Sequence, residues 1–125
     1  MSTKQIPTSQ YDDITAAESK YVDGLQTGSS ETVSEAFHKD AIMYGLLNGN
    51  LLGGPIKNLY DYIDQHGSAP HVKTRLNVIG ITGSTAMVKV DMEKDGSGRD
   101  YTDFLTLIKL DGKWEVIAKV FHVYE

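Results

Sequence analysis

A chain of 125 residues has the length of one domain and can bury a real core, and its 40% hydrophobic and 23% charged residues exclude a disordered protein. Twelve Lys and Arg against seventeen Asp and Glu give a net charge of −5 with no block of cations, which argues against a phosphate-tracking, nucleic-acid-binding surface. The lack of cysteine removes disulfides, thiolate catalysis and Cys-ligated zinc, and with no stretch of membrane-span length and no apolar signal-type run in MSTKQIPTSQ the expectation is a cytoplasmic protein without a membrane partner.

Residues 1–10 read as a flexible N-terminal arm and 11–125 as one domain. From Tyr11 to Thr27, Ile14, Ala17, Tyr21 and Leu25 recur at helical spacing, Asp12 and Asp13 suit the amide dipoles of the start, and Gly28 suits the stop. A short helix over Ser30–Phe37 follows, with Ser30 as its cap. AIMYGLLNGNLLGG is apolar and holds Asn48-Gly49, a two-residue hairpin signal. Gly54-Pro55 then opens a third helix, with Ile56, Leu59, Tyr60 and Ile63 as its buried stripe. From His71 onward the chain reads as strands over Val72–Thr82, Thr85–Lys94, Arg99–Leu110 and Lys113–Tyr124, joined by glycine-containing turns, so an antiparallel meander is the natural pairing.

Parity sorts these strands into faces. In Thr85–Lys94, Ala86, Val88, Val90 and Met92 share one face, and Met87, Lys89, Asp91 and Glu93 share the other. Centring the last hairpin on Asp111-Gly112 opposes Leu107 to Val116, Leu105 to Ala118, Asp103 to Val120 and Tyr101 to His122. The preceding hairpin sets Val90 opposite Asp103. The inner face is then apolar except at one end, where Tyr101, Asp103 and His122 cluster. A single bulge would reverse the parity. The outer face would carry Phe104, Thr106, Ile117, Lys119 and Phe121, a mixed apolar surface that suits a second copy of the chain.

The stretches AFHKDAIMYG, GGPIKNLYDYI, ITGSTAMVKV and YTDFLTLIKLDGKWEVIAKVFH, in this order, resemble the nuclear-transport-factor-2-like superfamily, and within it the group of putative lumazine-binding proteins. The likeness runs from about Tyr11 to His122 and is most specific in the final strand pair. It implies an α+β, cone-shaped fold in which three N-terminal helices pack on a strongly curved, mainly antiparallel sheet around a pocket. It also implies dimerisation through the outer sheet face. Fold relatives include ketosteroid isomerase, scytalone dehydratase and the SnoaL-like polyketide cyclases, beside non-catalytic binding modules, so the fold leaves function open. No catalytic motif of those enzymes maps residue by residue onto this chain.

Asp103 is the candidate base: a carboxylate in an apolar cavity gains proton affinity by desolvation, whereas a structural Asp103 would accept hydrogen bonds and pin the helices to the sheet. His122 is its candidate acid–base partner, or a half-exposed histidine near the chain's end. Tyr101 would orient a ligand oxygen, or simply pack. Tyr21, Tyr44 and Tyr60 would offer an aromatic wall, although helical spacing also makes Tyr21 and Tyr60 core residues. Val90, Met92, Ala118 and Val120 complete the apolar lining. His66 and His71 flank a loop with no further ligand converging on them, so no metal is expected, and Gly53-Gly54 lacks the spacing of a phosphate loop. No cofactor motif is present.

Together these residues predict a dimeric protein that binds an as yet unidentified small molecule. The alternative is a cofactor-independent dehydratase, isomerase or cyclase using Asp103 and His122. A third reading is a non-catalytic association module.

Overall fold

Two tight turns set the ends of the sheet. Asn48 and Gly49 have φ of 51° and 78°, and Asp111 and Gly112 have 49° and 78°. Paired left-handed residues of this kind match the twist of the strands they join. In the computed structural model, which describes residues 6–125, the first turn links β1 (Phe37–Leu47) to β2 (Asn50–Pro55). The second links β5 (Asp100–Leu110) to β6 (Lys113–Tyr124). With β3 (Lys73–Thr82) and β4 (Thr85–Glu93) they form one sheet in the order β2-β1-β6-β5-β4-β3. All neighbours are antiparallel except β1 and β6, which run parallel. The expected meander therefore holds for the last four strands, and the α+β class with helices on one face of a curved sheet is the observed architecture.

Three helices cover the inner face. α1 (Thr8–Thr27) begins three residues before the expected Tyr11, so the end of the anticipated arm is helical, and residues 1–5 lie outside the described residues. Its stop is as read: Gly28 takes a left-handed φ of 74°. α2 covers only Ser30–Ser34, and its cap is Ser29 rather than Ser30, with the Ser29 hydroxyl accepting the Thr32 N–H at 3.1 Å. Phe37 opens β1 instead of closing that helix. α3 spans Lys57–His66, because Pro55 ends the β2 ladder opposite Ile42, where the missing N–H costs nothing.

Ile14, Tyr21 and Leu25 of α1 and Leu59 and Ile63 of α3 pack onto Val88, Val90, Leu105, Leu107 and Val116 of the sheet, all buried. Each fully buried aliphatic side chain contributes roughly 1.5–3 kcal/mol.

One irregularity decides what the sheet presents to this core. The β5–β6 register follows the expected Leu110–Lys113 and Leu107–Val116 pairs, then slips by one residue between Thr106 and Leu107. Beyond the slip Thr106 opposes Ala118, Leu105 opposes Lys119, Asp103 opposes Phe121 and Tyr101 opposes Val123. The bulge takes up one extra residue around Ile117 and reverses the parity of the rest of β6. Lys119, Phe121 and Val123 thus face inward, and Ala118, Val120 and His122 face outward. Lys119 is 6% exposed and Val120 is 56% exposed.

Candidate functional site

The inner side of the bulge borders a cavity of about 260 Å³ between α1, α3 and the sheet. Asp103 enters it as expected, because β4 and β5 pair without a break and set it beside Val90. It is 1% exposed. Tyr21 reaches it from α1, where its hydroxyl donates to Asp103 Oδ2 at 2.8 Å. Met92 and Tyr101 also line the cavity.

The other expected residues fall elsewhere. Val90 is wholly buried core and does not reach the cavity. Tyr60 is half-buried against the core; Tyr62, two residues on, is the α3 tyrosine that lines the space. Tyr44 lies on the outer face of β1, because it pairs with Val120 while Met43, next to it, points in. Ala118, Val120 and His122 are carried out of the site by the bulge, so His122 cannot partner Asp103 across the cavity. Its ring instead sits edge-on to Tyr124, with centroids 4.7 Å apart.

Lys119 and Phe121 were expected on an outer, intersubunit surface and are instead cavity residues. Gly45 makes room for the second of them, since a Cβ there would run into the Phe121 ring opposite. Lys119 makes no hydrogen bond or ion pair among the described residues. Its Nζ stands 5.4 Å from the Tyr21 ring centre and 5.5 Å from that of Phe121, within cation–π range. Its donors are therefore available to a ligand.

The electrostatics follow from this packing. Burial pushes the Asp103 carboxyl above its ordinary range, while the Lys119 charge and the Tyr21 hydroxyl pull it down and Asp95 adds to the rise. Burial, and then the Asp103 charge, push the Tyr21 hydroxyl well up, which keeps it a donor. Behind this pair lies a residue the periodic reading passed over. Glu18 is completely buried on α1. Desolvation first, and Asp103 second, raise its carboxyl from 4.5 to about 8.

A second polar group lies at the far side. Tyr62 donates to Asp95 Oδ2 at 2.7 Å and meets the Tyr101 hydroxyl at 3.2 Å. Asp95 Oδ1 accepts from Ser97 N, Ser97 Oγ and Arg99 N at 2.9, 2.7 and 3.0 Å. Burial alone would raise Asp95, but these donors outweigh it and hold the carboxyl below its ordinary value. It is a fixed anion that organises the rim, where exposed Leu52, Asn58 and Arg99 stand.

The residues reaching the cavity thus offer three kinds of chemistry. Asp103 is a desolvated proton acceptor. Lys119 is a cation free to hold an oxygen. Tyr21, Tyr62, Tyr101 and Phe121 supply ring faces for a flat ligand.

A family model described as "Putative lumazine-binding" matches residues 9–122. A protein of Cladobotryum sp named aldolase FrzH is 42% identical over 121 residues, covering 97% of each chain. Two solved structures, both NTF2-like proteins of unknown function, superpose closely. That from Methylobacillus flagellatus KT is 35% identical with a TM-score of 0.92 over 98% of both chains. That from Shewanella baltica OS155 is 31% identical with a TM-score of 0.90, over 97% of this chain and 98% of its own.

Proposed function

The chain belongs to the "Putative lumazine-binding" family of the nuclear-transport-factor-2-like superfamily, and from that premise we propose that its cavity binds a small, flat carbonyl compound and moves a proton at the carbon beside the carbonyl. That step is common to aldol addition and its reverse. The observation that carries the reading is the placement of Asp103 and Lys119 on one apolar cavity where, among the described residues, Asp103 Oδ1 has no donor and Lys119 no hydrogen-bond or ion-pair partner. The 42% identical relative named an aldolase supports the same reading.

The chemistry uses only these side chains. Ionised Asp103 takes the α-proton, and the C–H electron pair moves into the enolate. The negative charge develops on the carbonyl oxygen, where the Lys119 ammonium holds it more firmly than it held the neutral ketone. In the addition direction the enolate carbon attacks a second carbonyl carbon and forms the C–C bond. The new alkoxide then takes back the proton from Asp103, and the base is restored. In the cleavage direction the same steps run backward, with Asp103 first accepting the hydroxyl proton. Tyr21 holds Asp103 Oδ2 and fixes the orientation of the carboxyl.

The test is proton exchange. Phenylacetone, an aryl ketone, is incubated in D₂O with wild type and with Asp103→Asn, and loss of the α-proton signal is followed by NMR. General-base catalysis is worth about 10²–10⁴ in rate, so wild type exchanges at least about a hundredfold faster than the variant. Equal rates for wild type, variant and buffer would refute the proton-transfer reading, and binding without exchange would leave a simple ligand carrier.

The outer sheet face favours a dimer. Tyr44, Val120 and Phe104 lie side by side across β1, β6 and β5, with exposures of 40%, 56% and 43%. Ile42, Leu46 and Met87 extend the patch. A second copy of the chain would remove this apolar surface from water. The interface so proposed keeps the expected Phe104 and Thr106, replaces Lys119 and Phe121 with Val120 and Tyr44, and leaves Ile117 at the bulge.

A further inference from the structure

Three carboxyl oxygens are buried with no hydrogen-bond partner among the described residues: both oxygens of Glu18, and Oδ1 of Asp103. They belong to side chains of α1 and β5, elements joined by the Tyr21–Asp103 hydrogen bond, and the Asp103 charge adds to the rise of Glu18. Glu18 stands one turn before Tyr21, whose hydroxyl already occupies the other Asp103 oxygen. Glu18 does not line the cavity, whereas Asp103 does. Two bare carboxylates in dry surroundings are each short of donors, and they repel one another. One proton would resolve both problems, were an O–H on Glu18 to donate to Asp103 Oδ1. Asp103 would then have a donor on each oxygen, and Glu18 would have no charge to bury.

We propose that Glu18 holds a proton shared with Asp103 Oδ1, so that the two carboxyls carry a single negative charge and Glu18 acts as the positioning residue of the base. The other ionisable groups facing the pair are Lys119 from β6, Tyr21 from α1 and, at the cavity's far side, Asp95 and Tyr101. Lys119 is the single cation among them, so one cation meets one shared anion at this end of the site. The two carboxyls titrate as a pair. Glu18 retains its proton to about pH 8, with burial and then the Asp103 charge as the causes. Above that pH a second negative charge enters the core, beside the oxygen on which enolate charge must develop. The consequence for turnover rests on the proposed role of Asp103; the shared proton itself does not.

The experiment therefore reads the carboxyls directly, with no substrate. Full-length protein labelled with ¹³C at the Glu Cδ and Asp Cγ carbons is titrated from pH 4 to 9 by NMR, with Glu18→Gln and Asp103→Asn providing the assignments. The Glu18 Cδ signal should titrate near pH 8, and the Asp103 Cγ signal should show an inflection at the same pH. Glu18→Gln should abolish the alkaline inflection of Asp103. Glu18→Leu, which fills similar space without a donor, should move the acid-side titration of Asp103 upward, and it keeps the test open should the Gln variant not fold. A Glu18 signal that titrates near the ordinary 4.5, or an Asp103 signal indifferent to residue 18, would overturn the proposal. An intact alkaline step in a protein that fails to exchange phenylacetone protons would refute the proposed reaction and leave the shared proton standing.

Discussion

Replacing Glu18 by Gln should reverse the order of stability between acid and mildly alkaline solution. In the folded protein the Glu18 carboxyl is raised from 4.5 to about 8, chiefly by burial. The folded state therefore binds more protons than the unfolded chain between those values, and stability must fall as pH rises through that window. At about 1.4 kcal/mol per pH unit, the loss is on the order of 5 kcal/mol, a large share of the roughly 5–15 kcal/mol that holds a domain folded. It is fully avoided below pH 4.5 and complete above about pH 8. Asp103, raised in the same direction, steepens the fall, whereas the lowered Asp95 acts only at the acid end, where its contribution is lost as pH drops. Gln cannot ionise. Near pH 5 the variant should lie within about 1–2 kcal/mol of wild type, the cost of one altered hydrogen bond. At pH 8 it should be the more stable protein by several kcal/mol. Urea denaturation at half-unit steps from pH 5 to 8.5 measures both profiles. Parallel curves for the two proteins would refute the buried, proton-holding Glu18.

Other expectations follow from the same geometry. Tyr21→Phe removes the hydroxyl that donates to Asp103 Oδ2 and should cost roughly 1.5–3 kcal/mol in urea denaturation while moving the Asp103 ¹³C titration upward. Lys119→Met keeps the packing but deletes the cation that lowers Asp103; the Asp103 titration should rise, and exchange of phenylacetone protons should fall about a hundredfold. An unchanged titration would show that Lys119 does not act on Asp103. Val120→Arg, or Phe104→Arg, places a charge on the exposed outer row and should convert a sedimenting dimer into monomer without altering the exchange rate; an unaltered dimer would refute that interface.

Much of the fold was legible because strands and turns carry short-range signals. The clean alternation from Ala86 to Glu93 fixed the inner face of β4, and that face in turn placed Asp103 correctly, since β4 and β5 pair without interruption. Asn48-Gly49 and Asp111-Gly112 located two hairpins through their φ requirement alone. The residues misplaced on β6 share one cause. Alternation says nothing about where a ladder slips, and the β5–β6 bulge exchanged Lys119 and Phe121 for Ala118, Val120 and His122. The sole local hint was the run Val116-Ile117-Ala118, three apolar residues where strict alternation allows no more than two to share the core. Glu18 had a clearer signal, for it stands four residues after Ile14 and three before Tyr21, in the middle of the buried stripe. The periodic reading followed apolar residues alone and so passed over a carboxylate at that position. The start of the second helix is as read and only its cap moves, from Ser30 to Ser29, whereas the third helix begins later than expected because Pro55 serves as well at a strand end as in a first helical turn.

The account turns on Asp103 being a working base inside the cavity. The most direct measurement is the rate of α-proton exchange of phenylacetone in D₂O, taken for wild type and Asp103→Asn across pH 5 to 8. The rate for wild type should climb with ionisation of a carboxyl whose titration lies above the ordinary carboxylate range, because burial raises it, while the variant stays at the buffer rate throughout. A wild-type rate that is flat with pH and equal to that of Asp103→Asn would contradict the account.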